Sequence, residues 1–424
     1  MMQPLLTPAP SRPDPADLSG ATLLVLGSAS PSKRGLFEAA RARRARVVAV
    51  KHDATWEREY CDAVLDWDCA DYTDLAETVS RVSEFARSWA ATGVVTTADA
   101  ALPALAEVAR ECGMPGPEPG LVALLRDKTR MRERFADLGL PSAVSIRAGS
   151  MAQARDAAAR IGLPVIVKPA TGTGSRGVLL VDSMAGLQHA CEVMDTVAAG
   201  PDGRPAFVVE EFIEGPEVCV DAVAHAGEVI FQNVLDKPRP MNGPLFEEVE
   251  FITPSGQDTE ALAQALKVNE QLLHGLGLAD GIGHTEMRLT STGPRLIETH
   301  LRVAGQRLPE IVARAVGVDF FGAAVDLAMG LCPDTTPRPC CYAGYQCVYS
   351  ARSGILRAVE GLDDARQVPG VTGVEVVTAA GEQIRTLPEH TQQNIAYIHA
   401  EGPSYGYVRQ QLAAAAAKIR VDVC

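Results

Sequence analysis

A lysine inside a short apolar run is the first residue that could do chemistry. Lys168 lies in PVIVKP and is one of seven lysines in a chain with 32 arginines. A buried, unpaired ammonium is costly. Lys168 therefore either extends into solvent from an edge strand or faces a cleft where an anion neutralises it. The run TGTGSRG (171–177) follows at once, and its glycines allow backbone N–H groups to approach phosphate oxygens. Together they favour a nucleotide site over a plain glycine-rich turn.

A pair of acids follows the next apolar run. VVEEFIEGPE (208–217) begins as a buried strand and ends in a turn. One interpretation is an ordinary strand end. The other is an adenine-binding hinge, in which backbone groups around Glu211–Ile213 match the adenine edge and Glu217 accepts hydrogen bonds from ribose hydroxyls.

Two further glutamates lie on the two strands of a predicted hairpin. Glu286 is in HTEMRL and Glu298 in RLIETH, with the turn SerThrGlyPro (291–294) between them. Magnesium commonly takes one or two carboxylates together with substrate phosphates, so the pair predicts a metal site. A solvated acidic face is the alternative. Arg302, four residues further on, can neutralise charge on a transferring phosphoryl group.

Composition narrows the class of protein. The 424 residues carry 53 acidic and 39 basic side chains, a net charge of −14, so the basic footprint of a nucleic-acid-binding protein is missing. No stretch approaches 18 consecutive apolar residues, which predicts no membrane span. Ten thinly spread cysteines favour reduced thiols and a cytoplasmic location.

The remaining elements form an alternating pattern near the N-terminus. ATLLVLG (21–27) and RVVAVKHD (46–53) are predicted strands flanking a helix, which is a Rossmann-type opening. At the other end, the alanine-rich run LAAAAAKIR (412–420) predicts a final helix.

The order of these features resembles the ATP-grasp superfamily. The order is a strand lysine, a glycine-rich loop, EEFIxGxE, and two metal-type glutamates followed by an arginine. The resemblance covers about residues 20–410. Within the superfamily, HTEMRL…GPRLIETHLRVAGQRLP is most similar to the L-amino-acid ligases, which are carboxylate–amine ligases also called dipeptide synthetases. DKPRPMNGPLFEEVEFITP (236–254) is similar to their substrate-facing segment.

This resemblance implies an α/β fold, with α+β character in the ATP-grasp part. A flexible tail (1–20) precedes an N-terminal Rossmann-like pre-ATP-grasp domain (21–125). A small lid subdomain with its linker helix follows (126–210), and then a large C-terminal ATP-grasp catalytic domain (211–424).

The resemblance also implies three sets of contacts. The ATP-binding residues would be Lys128, Lys168, Thr173, Gly174, Ser175, Glu210, Glu211, Phe212, Ile213 and Glu217. Glu286 and Glu298 would bind Mg²⁺, with Mn²⁺ as an alternative. The substrate-binding residues would be Lys237, Glu247, Glu248, Arg288, His300, Arg302 and Gly305. Arg302 and Lys168 would be the catalytic residues.

Two positions depart from the family pattern. His300 stands where many members have a metal-binding asparagine, and histidine is a poor magnesium ligand. We therefore assign His300 to substrate contact or structure, with metal binding as the less favoured alternative. Phe251 stands where related ligases often have histidine, which bears on the substrate and not on the ATP site.

The implied reaction joins a carboxylate and an amine, such as amino acids or peptides, through an acyl phosphate, with release of ADP and phosphate. The alternatives are a carboxylase or formate-dependent transformylase of the same architecture, a ligase to a carrier-protein thiol, and a nucleotide-binding protein without turnover. We expect small-molecule substrates, no nucleic acid, no membrane, and a homodimer as in many relatives.

Overall fold

The computed structural model describes most of the chain. The described residues are 16–27, 31–69, 74–198, 205–241, 243–388, 390–391 and 393–424. Most of the predicted N-terminal tail lies outside them. Within the tail, Leu18 is buried and its N–H donates to the carbonyl of Arg43. The ordered domain therefore begins slightly before residue 21.

The N-terminal domain is a parallel sheet flanked by helices. Its strands are β1 (Thr22–Leu26), β2 (Arg46–Val50), β3 (Ala63–Leu65) and β4 (Gly93–Val95), in the order β3-β2-β1-β4. Its helices are α1 (Arg34–Ala42), α2 (Leu75–Ser88) and α3 (Leu102–Cys112). The run TLLVL of β1 is buried along its whole length, as a continuous apolar strand covered on both faces must be. The Rossmann-type opening is confirmed.

A pair of helices leads into a small second sheet. These are α4 (Pro119–Arg126) and α5 (Lys128–Asp137). The sheet contains β5 (Ser145–Ala148), β6 (Val165–Pro169), β7 (Leu179–Val181) and β8 (Phe207–Glu211), in the order β5-β8-β6-β7. It is covered by α6 (Met151–Ile161) and α7 (Met184–Val197). The glycine-rich run joins β6 to β7, so it is a hairpin loop at the end of the strand that carries Lys168.

The largest sheet faces this small sheet of β5–β8, here called the lid sheet. It consists of β9 (Glu217–His225), β10 (Glu228–Lys237), β11 (Glu250–Thr253), β12 (Gly281–Thr290), β13 (Gly293–His300), β14 (Tyr342–Val348), β16 (Val371–Val376) and β18 (Ala396–Gly402). The order is β13-β12-β9-β10-β11-β14-β18-β16, and every pairing is antiparallel. The predicted hairpin is present as β12 and β13.

Helices and a second small sheet complete the C-terminal part of the chain. The helices are α8 (Thr259–Leu276), α9 (Leu308–Ala315), α10 (Phe320–Ala328), α11 (Leu362–Arg366) and α12 (Tyr405–Ala416). The strands β15 (Gly354–Glu360), β17 (Gln383–Ile384) and β19 (Arg420–Val423) pair in the order β17-β15-β19. The predicted final helix over 412–420 was therefore wrong at its end. Helix α12 starts earlier and stops at Ala416, because the last residues pair with the edge of β15.

The N-terminal domain shares a hydrophobic core with the largest sheet. One cluster of buried side chains includes Leu23 and Phe37 of the N-terminal domain, and Phe320 and Tyr345 of the C-terminal part. A Cβ added to Gly35 would come within 2.4 Å of the Phe321 ring, so helix α1 packs closely on α10. This close contact fixes where the N-terminal domain can place side chains near the largest sheet. Within the described ranges, none of the helices combines the length and the apolar character needed to cross a bilayer.

Candidate active site

A cleft with an open volume of about 810 Å³, part of which is open to solvent, lies between the lid sheet and the large sheet. Its roof is formed by β6, the loop 171–177 and the end of β8. Its floor comes from the ends of β9 and β10 and from the β12–β13 hairpin. The motifs that the sequence singled out one by one therefore converge on one cavity.

Three cations gather at one end of the cleft. The Lys168 ammonium lies 2.7 Å from the Glu210 carboxylate, and an Arg132 nitrogen lies 3.1 Å from the same oxygen. The Lys128 ammonium donates to the carbonyl of Gly172 at 2.8 Å and lies 3.5 Å from Glu298. Lys168 is thus buried and faces the cleft, so the edge-strand alternative is excluded.

The pKa values at this end follow from its shared carboxylate. Burial lowers the pKa of Lys168, although the charge of Glu210 opposes that effect. Burial would raise the pKa of Glu210, but the charges of Arg132 and Lys168 outweigh it and hold that pKa below its usual range. Two cations therefore compete for one carboxylate, which favours the arrival of a further anion.

Helix α5 explains why two of these cations come together. The Asp127 side chain caps the helix by accepting hydrogen bonds from Thr129 and Arg130 N–H groups. Lys128 starts the helix, and Arg132 is four residues later on the same face. Arg132 was missed in the sequence, although this spacing could have identified it.

An apolar slot adjoins the predicted hinge. Ile166, Met241 and Phe246 form a buried cluster with Phe212 packed against it. All four side chains line the cleft. Next to the slot, the Glu211 side chain pairs with Arg295 at 2.7 Å. The backbone of the hinge therefore remains beside a surface that suits a flat aromatic ring.

Carboxylates dominate the adjoining end of the cleft, which meets the cationic end where Lys128 lies 3.5 Å from Glu298. The buried Lys237 ammonium contacts Glu217 at 2.8 Å, Glu248 at 2.7 Å and Glu286 at 3.2 Å. Arg288 also pairs with Glu217, at 3.1 Å. Burial would lower the pKa of Lys237, but the three carboxylates raise it well above its usual range. The local charge remains negative, so this end favours an additional cation.

Glu286 and Glu298 stand directly opposite each other in the β12–β13 pairing, and both face the cleft. Burial opposes their ionisation, yet the pKa of Glu286 falls to about 2 beside Lys237 and His284. The pKa of Glu298 falls well below its usual range beside Lys128 and His300. Both side chains are thus carboxylates at neutral pH. Two converging carboxylates in a negatively charged pocket fit a hard divalent cation such as Mg²⁺.

Arg302 lies behind this pair and is held by a residue of the N-terminal domain. An Arg302 nitrogen contacts Asp99 at 2.5 Å, and His300 contacts the other Asp99 oxygen at 3.2 Å. The second ring nitrogen of His300 lies 3.3 Å from Glu298. Burial would lower the pKa of His300, but Asp99 and Glu298 raise it. His300 therefore carries a positive charge more readily than a free histidine.

A second, wider cleft opens beside the segment that follows Arg302. It has an open volume of about 2000 Å³ and is lined in part by Arg307, Glu375 and Arg176 of the glycine-rich loop. The Lys33 ammonium, also from the N-terminal domain, donates to the carbonyls of Ala304 and Gln306 at 2.9 and 3.4 Å. Arg176 lines both clefts, so the loop forms part of the boundary between them.

The tip of the glycine-rich loop rests on the C-terminal part of the chain. The Gly177 N–H donates to the Pro388 carbonyl at 2.8 Å. A Cβ added to Gly174 would meet the Thr391 side chain at 3.3 Å. Gly174 also has a φ of +67°, a conformation that glycine adopts without strain. The loop is therefore observed in a position over the cleft.

Most predicted site residues line the main cleft. These are Lys128, Lys168, Thr173, Gly174, Ser175, Glu210, Glu211, Phe212, Ile213, Glu217, Lys237, Glu248, Glu286, Arg288 and Glu298. Glu247 is exposed, and it lies outside the described lining of the cleft together with His300, Arg302 and Gly305. Lys237 and Arg288, predicted as substrate contacts, hold the acidic end together.

Comparisons with known proteins place two domains on the chain. Residues 161–310 match the model of an ATP-grasp domain, and residues 346–423 match L-amino acid ligase C-terminal domain 2. The first match contains β6, β7 and β8 of the small sheet, the hinge and the β12–β13 hairpin. The second contains Glu375 of the wide cleft, and Pro388 and Thr391 beside the glycine-rich loop.

Curated relatives include ligases. The chain is 28% identical to carnosine synthase 1 of Homo sapiens over 76% of this chain and 41% of that protein. It is 27% identical to alanine–anticapsin ligase of Bacillus subtilis strain 168 over 60% of this chain and 59% of that protein. The chain thus spans about two fifths and three fifths of these relatives.

Solved structures show the same fold. The L-amino acid ligase from Bacillus licheniformis superposes with a TM-score of 0.80 at 21% identity, covering 96% of this chain and 99% of that one. The carboxyaminoimidazole ribonucleotide synthase from Aspergillus clavatus, solved with ATP, superposes with a TM-score of 0.74 at 16% identity, covering 94% and 99%. At these identities the likeness establishes the ATP-grasp fold alone.

Proposed function

We propose that this chain forms an amide or peptide bond between two small molecules. Its ATP-grasp domain and its L-amino acid ligase C-terminal domain make it an ATP-grasp ligase. One of the two molecules is a carboxylate such as an amino acid, and the other is an amine such as a second amino acid or a peptide. The observation that supports this function best is that one cleft has a cationic end and a carboxylate-rich end.

The cationic end and the apolar slot fit the two halves of ATP. An adenine ring would lie in the slot formed by Ile166, Met241 and Phe246, against the hinge backbone. The phosphates would lie beside Lys128 and Lys168, under the backbone of the glycine-rich loop. Relief of the competition between Lys168 and Arg132 for Glu210 would stabilise the bound anion.

The carboxylate-rich end fits the divalent cation. Glu286 and Glu298 would hold Mg²⁺, with Mn²⁺ as the alternative ion. Held there, the cation would supply charge neutralisation for phosphoryl transfer. Glu217, held between Lys237 and Arg288, is preorganised to accept hydrogen bonds from the ribose.

The chemistry then needs alignment and charge neutralisation. We propose that the substrate carboxylate attacks the γ-phosphorus, and ADP leaves with the bridging electron pair. The amine attacks the acyl carbon of the resulting acyl phosphate, loses a proton, and phosphate leaves. Lys128 and Lys168 offset the repulsion between the two anions in the first step. Arg302, close enough to Glu286 and Glu298 to interact electrostatically with both, would offset charge on the acyl phosphate.

Exclusion of water is the second requirement, because an acyl phosphate hydrolyses. The loop over the cleft would provide the cover, supported by its hydrogen bond to Pro388 and its close approach to Thr391. The match of that domain to the L-amino acid ligases favours amide formation over the carboxylase and transformylase alternatives.

The test is phosphate release from Mg-ATP by the purified protein, against a panel of single and paired amino acids and short peptides. We expect release that requires a particular acid and amine, and a product whose mass is their sum less water. Release that requires bicarbonate or formate, or a thioester product on a carrier protein, would contradict the proposal. Tight ATP binding without release across the panel would favour the non-catalytic alternative.

A further inference from the structure

One carboxylate of the N-terminal domain reaches the catalytic machinery. Asp99 begins a short turn directly after β4, and an Arg126 nitrogen holds its carbonyl oxygen at 2.6 Å. Its side chain is only 15% exposed and contacts Arg302 with one oxygen and His300 with the other. Burial would raise the pKa of Asp99, but the charges of Arg302 and His300 hold it well below the usual range. Asp99 is therefore an anion at neutral pH.

The contacts of Arg302 show what this anion does. The other terminal nitrogen of Arg302 donates to the carbonyl of Val303 at 3.1 Å. Among the described residues, no hydrogen-bond partner approaches its Nε atom. The carboxylates of Glu286 and Glu298 both attract the guanidinium. A guanidinium released by Asp99 would move towards those carboxylates and occupy the place of the cation they are to bind.

His300 extends the same restraint to the metal-type pair. Because one ring nitrogen is tied to Asp99, the other faces Glu298. The N-terminal domain also grips the far end of this segment, where Lys33 donates to the carbonyls of Ala304 and Gln306. The segment 300–306 is therefore held at both ends by a domain that lies outside the ATP-grasp match.

We infer that Asp99 is a positioning residue that keeps Arg302 away from Glu286 and Glu298 and orients His300 towards Glu298. Catalysis would then depend on the docked N-terminal domain. The inference rests on the proposed function for the role of Arg302. Asp99 contacts neither ATP nor metal in this scheme, so its removal acts on turnover through Arg302 and His300.

A second ion pair between the same two parts of the chain provides a matched control. Arg43 of the N-terminal domain binds Asp326 of α10 with two nitrogens, at 2.6 and 2.7 Å. Both side chains are about nine-tenths buried, and neither lines either cleft described above. Asp326→Asn therefore perturbs the domain contact without touching the catalytic segment.

The experiment compares Asp99→Asn with Asp326→Asn in the full chain. With saturating substrates, we expect kcat to fall roughly 10- to 100-fold in Asp99→Asn. Asp326→Asn should keep kcat within about twofold of the wild type. It should lower the melting temperature about as much as Asp99→Asn does. Equal losses of kcat in both variants would overturn the inference.

A double-mutant cycle and an activity-free measurement keep the two proposals separate. If Asp99 acts through Arg302, Asp99→Asn should add little loss of kcat to Arg302→Ala, and fully additive losses would contradict it. Backbone amides of residues 300–306 should exchange hydrogen faster in Asp99→Asn than in Asp326→Asn. Equal exchange would reject the positioning role even if no ligase activity were found. Absence of activity with faster exchange would reject the proposed function alone.

Discussion

The two ends of the cleft solve opposite electrostatic problems with the same residue types. At the cationic end, Lys168 and Arg132 share the single carboxylate of Glu210. At the acidic end, Lys237 alone contacts three carboxylates, one of which also has Arg288. Each end is folded around a buried ion cluster that is not neutral by itself.

The two clusters indicate where ligand charge can substitute for protein charge. Leaving a buried charge unpaired is costly, so each cluster is stabilised by the ligand of opposite sign. Phosphate would complete the cationic end, and a divalent cation would complete the acidic end. The two ligands arrive together as Mg-ATP. The contrast between the ends makes specific predictions about what happens when either balance is broken.

The largest effect should come from the metal-type pair. We expect Glu298→Gln to lower kcat by about 10³-fold or more, since charge neutralisation by a bound divalent cation contributes several kcal/mol to phosphoryl transfer. Steady-state phosphate release with purified, folded protein measures it. Glu248→Gln is the control from the same acidic end and should lose about tenfold or less. Equal losses would show that net charge matters and not the Glu286–Glu298 pair.

The next effect concerns stability at the acidic end. Lys237→Met leaves Glu248 and Glu286 without their shared ammonium, and we expect the free energy of unfolding to fall by about 3 kcal/mol or more. Added Mg²⁺ should restore part of that loss. Urea unfolding with and without Mg²⁺ measures both quantities. The idea fails if Mg²⁺ stabilises the wild type and the variant equally.

A smaller effect is expected at the cationic end. Lys168→Ala should weaken the binding of Mg-ADP about 10- to 100-fold, because a charged hydrogen bond to phosphate is lost. Lys267→Ala, at an exposed position of α8, is the matched control and should bind normally. Isothermal titration calorimetry gives both affinities. Unchanged binding by the Lys168 variant would remove this lysine from the nucleotide site.

The smallest effect concerns the loss of folding stability in acid that is caused by His399, a residue outside both ends of the cleft. Burial, assisted by the charge of Arg307, lowers the pKa of His399 to about 4. An unfolded histidine titrates near ~6.5, so the unfolded chain binds the extra proton first. The stability contributed by neutral His399 is complete above about pH 6.5 and is lost as the pH falls through about 4.

At pH 5 that loss should be roughly 2 kcal/mol for the wild type and absent in His399→Gln. Chemical unfolding at pH 7.5 and pH 5 measures the difference. Phosphate release at pH 7.5 should be alike in the two proteins, since His399 lies outside the described lining of the main cleft. A variant that loses as much stability in acid as the wild type would show that other groups set the acid response.

The sequence predicted those parts of the site whose functional residues lie close to one another in the chain. Lys168 and the loop 171–177 are adjacent, and Glu286 and Glu298 lie on one hairpin, so local pairing brings each set together. Placement in one cleft still needed the lid to fold over the large sheet. The resemblance implied that arrangement; periodicity alone would not have done so.

The parts that the sequence missed depend on contacts between domains. Asp99 and Lys33 reach the segment 300–306 only because α1 packs on α10. A clue was available, since Asp99 follows the carboxyl end of the parallel strand β4, where ligand-facing residues of open α/β sheets commonly lie. The last helix shows the converse problem. The alanine-rich run predicts a helix up to residue 420, but Arg420–Val423 pair with the edge of β15 instead.

The contact between the glycine-rich loop and Pro388 bears on how nucleotide enters and leaves. A single backbone hydrogen bond contributes about 1 kcal/mol net, which corresponds to roughly a fivefold preference for the closed position. A hydrogen bond of this size favours the closed position without preventing the exchange of ATP and ADP. The hydrogen bond joins the loop to the C-terminal domain, so substitutions around Pro388 should change the rate of nucleotide exchange without changing any atom that touches the nucleotide.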